Sequence, residues 1–348
     1  LTAAPASRLP RYLASAYTLL AAYGSLHPLT GWTDTGVAPL AFLAAGWPRY
    51  FTGFDVAVNV VAYVPMGFLW LLALRPACGR WLGPLLALVI GAMLSLAMET
   101  LQNFLPSRVP SSLDLACNVT GTVVGIIAAR IGDDQWFSPA RLHDMRQRLI
   151  AEGAWADWGL LLVLLWLLTQ LNPEILLFGN GDLRRLAGLP VALTYSAQTF
   201  PQFESLVVGT NTLAIGLVLS LLVRRRALIL LPLLAALLAK SLVFILAKGL
   251  WSELAWATEG SLAGLAIGGV LLIASLSLPT VVRRVLAATL ILLATVLVNL
   301  TPENPYLANT YQVWNPGQFL NFHGLTRLAS DLWPFLALPW LMMPRGER

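Results

Sequence analysis

Of the 348 residues 57% are hydrophobic and only 11% charged, with a mean hydropathy of +0.72. A soluble chain of this length needs far more charge to coat its surface, so the composition excludes a water-soluble enzyme and points to an all-α, polytopic membrane protein. The net charge of +5 is not a nucleic-acid signal, because the basic residues are scattered over short loops between apolar runs.

In chain order, the uncharged run from Tyr12 to Thr33 after Arg8 and Arg11 predicts a first spanning helix. It is read as an uncleaved anchor, with a cleavable signal peptide as the rival, since its small residues lie inside the apolar stretch rather than beyond it. The Pro- and Gly-broken stretch to Gly53 carries Trp32, Trp47, Tyr50 and Phe51, aromatics suited to a membrane–water interface. Helix two is expected over Phe54–Leu74, helix three over Trp81–Leu101 and helix four over Leu113–Ile131, with Arg75 and Arg80 bracketing the first turn. Cys78 at a helix end and Cys117 inside a helix have no metal-ligand spacing and no expected disulfide. In the polar stretch that follows, Leu142, Met145, Leu149 and Ile150 share one face among Arg141, Arg146 and Arg148, as in a helix lying on a membrane surface.

Helix five, Trp158–Leu171, opens what reads as a second copy of the same unit. Phe203-Glu204 begins helix six as Phe54-Asp55 begins helix two, Arg224 to Arg226 form the basic turn, helix seven (Ala227–Ala247) contains Lys240, and helix eight (Glu253–Ala274) has Gly260, Gly264 and Gly268 on one stripe. Two more helices, Val285–Leu300 and Leu328–Met343, bring the expected count to ten. The domains are accordingly a four-helix unit (1–131), a cytoplasmic amphipathic linker (132–157), a degenerate second four-helix unit (158–275) and two C-terminal helices with an outside loop (276–348). Fifteen arginines fall on one set of loops and six basic residues on the other. That imbalance puts both termini in the cytoplasm and the turns bearing Asp55, Glu99, Arg108 and Asp114 outside.

The polar residues of the first unit gather at helix ends. Asp55 and Asn59 share a face, as do Glu99, Gln102 and Asn103, and Asp114, Asn118, Gly121 and Gly125 fall on one stripe at about 100° per residue. Ionisable groups near hydrocarbon are expensive and mark candidate sites. The expected ligand-binding set is Asp55, Asn59, Glu99, Gln102, Arg108, Asp114 and Asn118, with Arg108 as a fork for phosphate or carboxylate. The alternative is that these charges pair with one another and set only how the helices pack. Glu204, Lys240, Glu259 and His323 are secondary candidates; Lys240 needs a partner, for which Glu204 and Glu259 are placed on flanking helices. The expected set includes no metal and no cofactor, with a divalent cation held by the three carboxylates as the alternative although no histidine lies near in sequence; no nucleophile elbow, phosphate loop or zinc helix appears.

The Asp55/Asn59 start with Pro65-Met66-Gly67, the Glu99-Thr100-Leu101-Gln102 turn, Pro106, Arg108 and the Asp114-x3-Asn118-x2-Gly121-x3-Gly125 helix resemble the VanZ-like family of bacterial membrane proteins, named for a protein linked to teicoplanin resistance. The resemblance is strongest over residues 54–130. It implies an inner-membrane protein of the cell envelope with a link to glycopeptide resistance, whose partner is a membrane lipid or lipid-linked envelope precursor. Three activities stay open: binding or translocating an anionic lipid, hydrolysis or transfer by paired carboxylates with Glu99 as base, and a non-catalytic scaffold for an envelope enzyme.

Overall fold

The computed structural model describes residues 9–27, 29–48, 53–135, 139–184, 187–190, 193–248, 251–304 and 319–344. Their regular structure is helical, with no strand beyond one isolated bridge. The helices are α1 (Leu9–Leu26), α2 (Gly53–Gln102), α3 (Ser112–Gln135), α4 (Pro139–Leu149), α5 (Ala154–Thr169), α6 (Phe200–Leu222), α7 (Leu230–Lys248), α8 (Glu259–Ser275), α9 (Thr280–Leu300) and α10 (Phe319–Met342). The chain divides into two compact units, Leu1–Met145 and Arg146–Arg348.

In the first unit α2 is two helices in sequence. Gly79, at φ +69°, breaks it between Arg75 and Arg80, a backbone conformation that costs glycine little and other residues more. The halves fold beside each other, since Gly67 and Gly91 both face Thr122 of α3. The packing of α3 on the first half is backbone against backbone. A Cβ on Gly121 would stand 2.1 Å from the Val60 carbonyl oxygen, and one on Gly125 2.0 Å from that of Val64. Leu71, Ala87, Ile126 and Ala129 close the apolar core below. α1 packs on α2, where the Tyr17 hydroxyl donates to the Ala62 carbonyl at 2.6 Å and Trp70 Nε1 to Thr18 Oγ1 at 3.0 Å. It ends at Leu26, earlier than the predicted Thr33, because the proline at position 28 cannot continue the ladder.

In the second unit α6 is the centre, buried along most of its length. α8 approaches it through Gly264 and Gly268, where added Cβ atoms would meet the Ser205 and Gly209 carbonyl oxygens at 2.7 and 2.5 Å. α9 lies on α6 as well, whereas α5 packs chiefly on α10. There Trp155 and Trp340 stack with ring centroids 4.4 Å apart, each indole N–H donating to the other's carbonyl at 3.2 and 2.8 Å. Just before α5, the Ile150 and Val223 backbones pair, and Arg146 pairs with Asp157.

Among the described residues, five helices are long and apolar enough to cross a membrane: Asp55–Gln102, Ser112–Gly132, Phe200–Leu222, Arg226–Ile245 and Thr280–Leu300. The expected ten spans are met in part. The first of these carries two predicted spans across the Gly79 break, while α5 and α8, at 16 and 17 residues, reach only about 24–26 Å at 1.5 Å per residue against a hydrocarbon core of about 30 Å. The α3 seam carries a prediction. Gly125→Ala should lower the thermal midpoint in detergent by an amount equivalent to about 1–3 kcal/mol of overpacking, and Gly125→Leu should abolish folding. Gly269→Ala, where nothing lies within 4 Å, should leave the midpoint unchanged.

Candidate functional site

The α2–α3 seam aligns three polar stripes at one end of the first unit. Asp55, Asn59 and Tyr63 run down the first half of α2, Ser95 and Glu99 down its second half, and Asp114, Asn118 and Thr122 down α3. Each stripe repeats at four residues, so each keeps one helix face. Asn59 hydrogen-bonds Asp114, which lies within electrostatic range of Asp55 and Glu99. Glu99 is almost fully buried, and its Oε2 accepts from the Ser111 amide at 2.8 Å, which ties the loop before α3 to the end of α2. Asn118 Nδ2 donates to Ser95 Oγ at 2.9 Å, whereas Asn118 Oδ1 is buried with no partner among the described residues. The Tyr63 hydroxyl lies beside Ser95 and within range of Glu99.

Two of the predicted residues serve other ends. Gln102 Nε2 donates to the Ser25 carbonyl at 3.0 Å, fastening the end of α1, and its neighbour Asn103 holds the Val37 carbonyl at 3.1 Å. Arg108 donates one hydrogen bond, Nη2 to the His27 carbonyl at 3.1 Å, and no carboxylate lies within ion-pair distance of it among the described residues. Burial pulls its guanidinium below the ordinary value and the charge of Glu99 pushes back. The part-exposed fork therefore stands at the mouth of a site that counts three carboxylates and one arginine. Sequence reading missed Tyr63, Ser95 and Thr122; each sits four residues along from a residue it did select, so extending the stripes by one turn finds them.

The secondary candidates belong to the second unit and stay apart. Glu204 is buried and accepts from Thr258 Oγ1 at 2.6 Å and Ser261 Oγ at 3.0 Å, holding the start of α8. Lys240 is fully buried, yet its Nζ donates to main-chain carbonyls, Asn172 at 2.6 Å and Ile175. No ion pair joins it to Glu204 or Glu259, the partners expected for it, because the turn after α5 enters between the helices and offers its carbonyls first. Glu259 is exposed. The side chain of His323 lies outside the described residues. Close to the same turn, Arg184 grips Asp182 with two parallel bonds of 2.9 and 2.8 Å. Burial alone would raise the Asp182 carboxyl, but the hydrogen bonds and charge of Arg184 outweigh it and hold the group below its ordinary 3.8. Among the described residues no group of three His, Cys, Asp or Glu side chains could hold a metal ion.

Residues 11–133 match the family described as VanZ/LLP1, a segment that contains every polar stripe of the first unit and covers about a third of the chain. Neither the curated proteins nor the solved structures include a match to this sequence.

A carboxyl held low in the folded state contributes stability that is present above its unfolded value and lost as pH falls through the folded one. Thermal unfolding in detergent should therefore show a midpoint that drops below about pH 4, near the ordinary carboxylate value. Asp182→Asn should flatten that acid limb while costing roughly 1.5–3 kcal/mol at neutral pH, the range for hydrogen bonds to charged groups. An unchanged limb would show that Asp182 does not titrate with folding.

Proposed function

We propose that the first unit binds the head group of a membrane lipid or lipid-linked envelope precursor that carries a phosphate beside hydroxyl donors, as a VanZ-like inner-membrane protein of the bacterial envelope. One observation carries the reading. Arg108 commits a single donor to the His27 carbonyl, and among the described residues the remainder of its fork faces no carboxylate within ion-pair distance. A planar guanidinium in that state is matched to a phosphate by two-pronged bonding. The carboxylates of Asp55, Glu99 and Asp114 would repel a bare anion, but they accept hydrogen bonds from hydroxyls attached to one. Asn118 Oδ1 deeper in the seam, without a partner among the described residues, adds a neutral acceptor. Binding, rather than hydrolysis, is favoured because Glu99 spends an oxygen holding the Ser111 amide and is positioned to shape the loop.

Two structural readings accompany this proposal. The charge distribution supports cytoplasmic termini and an outside face for the 102–112 turn. The second unit is read as a diverged duplicate of the first: Gly121 and Gly125 seat on carbonyls four residues apart in α2, and Gly264 and Gly268 do the same on α6. The likeness is carried by that helix pair, since α5 packs chiefly on α10 where α1 packs on α2.

Arg108→Lys keeps the charge and loses the fork. The variant should fold with an unchanged thermal midpoint and bind phosphatidylglycerol-containing vesicles at least about tenfold more weakly, tenfold being about 1.4 kcal/mol. A folded Lys variant with undiminished binding refutes the gripping role. Orientation is checked separately with an impermeant thiol reagent on intact cells. Ser107→Cys in a background lacking Cys78 and Cys117 should label, and Cys78 alone should be protected; the opposite pattern would invert the topology.

A further inference from the structure

Two charged side chains of the second unit are buried among its helices without meeting each other. Lys240 of α7 is 1% exposed and Glu204 of α6 5%. Both line one cavity of about 260 Å³. The rest of the wall is mostly apolar, with Leu176 and Leu177 from the turn after α5, Phe244 of α7, and Ala255 and Trp256 ahead of α8. Trp256 is fixed in place by its Nε1, which donates to Ser241 Oγ at 2.8 Å. A cavity of about 150 Å³ takes a benzene ring, so this one has room for a small organic molecule.

The two charges are compensated unequally. The Glu204 oxygens accept from Thr258 Oγ1 at 2.6 Å and Ser261 Oγ at 3.0 Å, and a Cβ on Gly260 would stand 2.6 Å from Oε2. The carboxylate thus lies against the first turn of α8, the end of a helix that favours negative charge. Lys240 has no such counterpart. Its Nζ donates to the Asn172 and Ile175 carbonyls, which are neutral, and no carboxylate lies within ion-pair distance of it among the described residues. An ammonium carries three donors, so one is left over. Ile175 lines the same cavity as Lys240, which places the end of the side chain at the cavity wall. A buried charge is costly until it is paired. What Lys240 lacks is one acceptor and one negative charge, and a carboxylate supplies both in a charge-assisted hydrogen bond. A dianion is a poorer match, because its second charge would face Glu204 in the same cavity.

We propose that this cavity of the second unit binds a small organic carboxylate, with the carboxylate on Lys240 Nζ and a short apolar body among Leu177, Phe244 and Trp256. The site lies outside the unit that carries Arg108 and does not depend on the lipid reading given to it. The test uses the full chain purified in detergent, with the thermal midpoint followed against sodium pentanoate, against 1-pentanol as the uncharged mimic, and against sodium chloride. Pentanoate should raise the midpoint saturably, and the other two should not. Lys240→Met removes the charge and keeps the apolar stem, and it should weaken the apparent pentanoate affinity at least about tenfold. That variant also strands the Asn172 and Ile175 carbonyls and can fail to fold. Ala255→Phe, at an exposed position of the cavity wall, leaves Lys240 and its hydrogen bonds untouched while filling the space, and it should weaken pentanoate to the same degree. A midpoint that pentanoate does not move, or that 1-pentanol or sodium chloride moves equally, overturns the proposal. Full pentanoate affinity in either variant, once folded, overturns it as well.

Discussion

Backbone-to-backbone contact between α3 and the first half of α2 is the constraint on which the first unit depends. Two apolar helices gain little from each other by excluding lipid, so they must approach until their main chains touch. Gly121 and Gly125 allow this by leaving room for the Val60 and Val64 carbonyls. Once that distance is set, the residues one and two turns above the glycines on α3 fall opposite their counterparts on α2. Asn59 then meets Asp114, and Asn118 meets Ser95. The polar site is a consequence of the apolar seam beneath it.

Enclosing those groups has a cost that the structure meets with short-range partners rather than with ion pairs. Glu99 is satisfied in part by a backbone amide and Glu204 by two hydroxyls, and buried Lys240 is held by two carbonyls. A buried charge matched with neutral hydrogen-bond partners fixes geometry well, because each partner has a defined direction. In the second unit the same economy is applied to main chain: α7, α9 and α10 each give side-chain or carbonyl groups to the segment after α5. That segment cannot be moved without leaving several buried groups unmet at once.

The two units therefore use one packing device for different chemistry. In both, paired glycines four apart seat a helix on a neighbour's carbonyls. In the first unit the residues above that seam are carboxylates with one arginine at the rim. In the second, Glu204 above the corresponding seam is consumed in holding α8, and the polar cavity is instead built from the chain that follows α5. The second unit, without those carboxylates, has its polar centre in another part of the fold.

The sequence by itself determined the helical class, the break between Arg75 and Arg80 and the faces on which polar residues lie. These follow from period, proline, glycine and charge, all local to the chain: Gly79 between two arginines, the Gly121–Gly125 stripe, and Asp55 four residues before Asn59. It also pointed to the family match over residues 11–133 through the spacing of those residues. What only the tertiary structure decided is which face meets which. Gln102 shares a helix face with Glu99 yet turns to the Ser25 carbonyl, Arg108 sits among carboxylates and bonds a main-chain oxygen, and Lys240 bypasses two glutamates for the turn at Asn172 and Ile175. Hydrogen-bond partners are chosen by distance across the packed helices, and backbone carbonyls, present at every residue, carry no signature in the sequence.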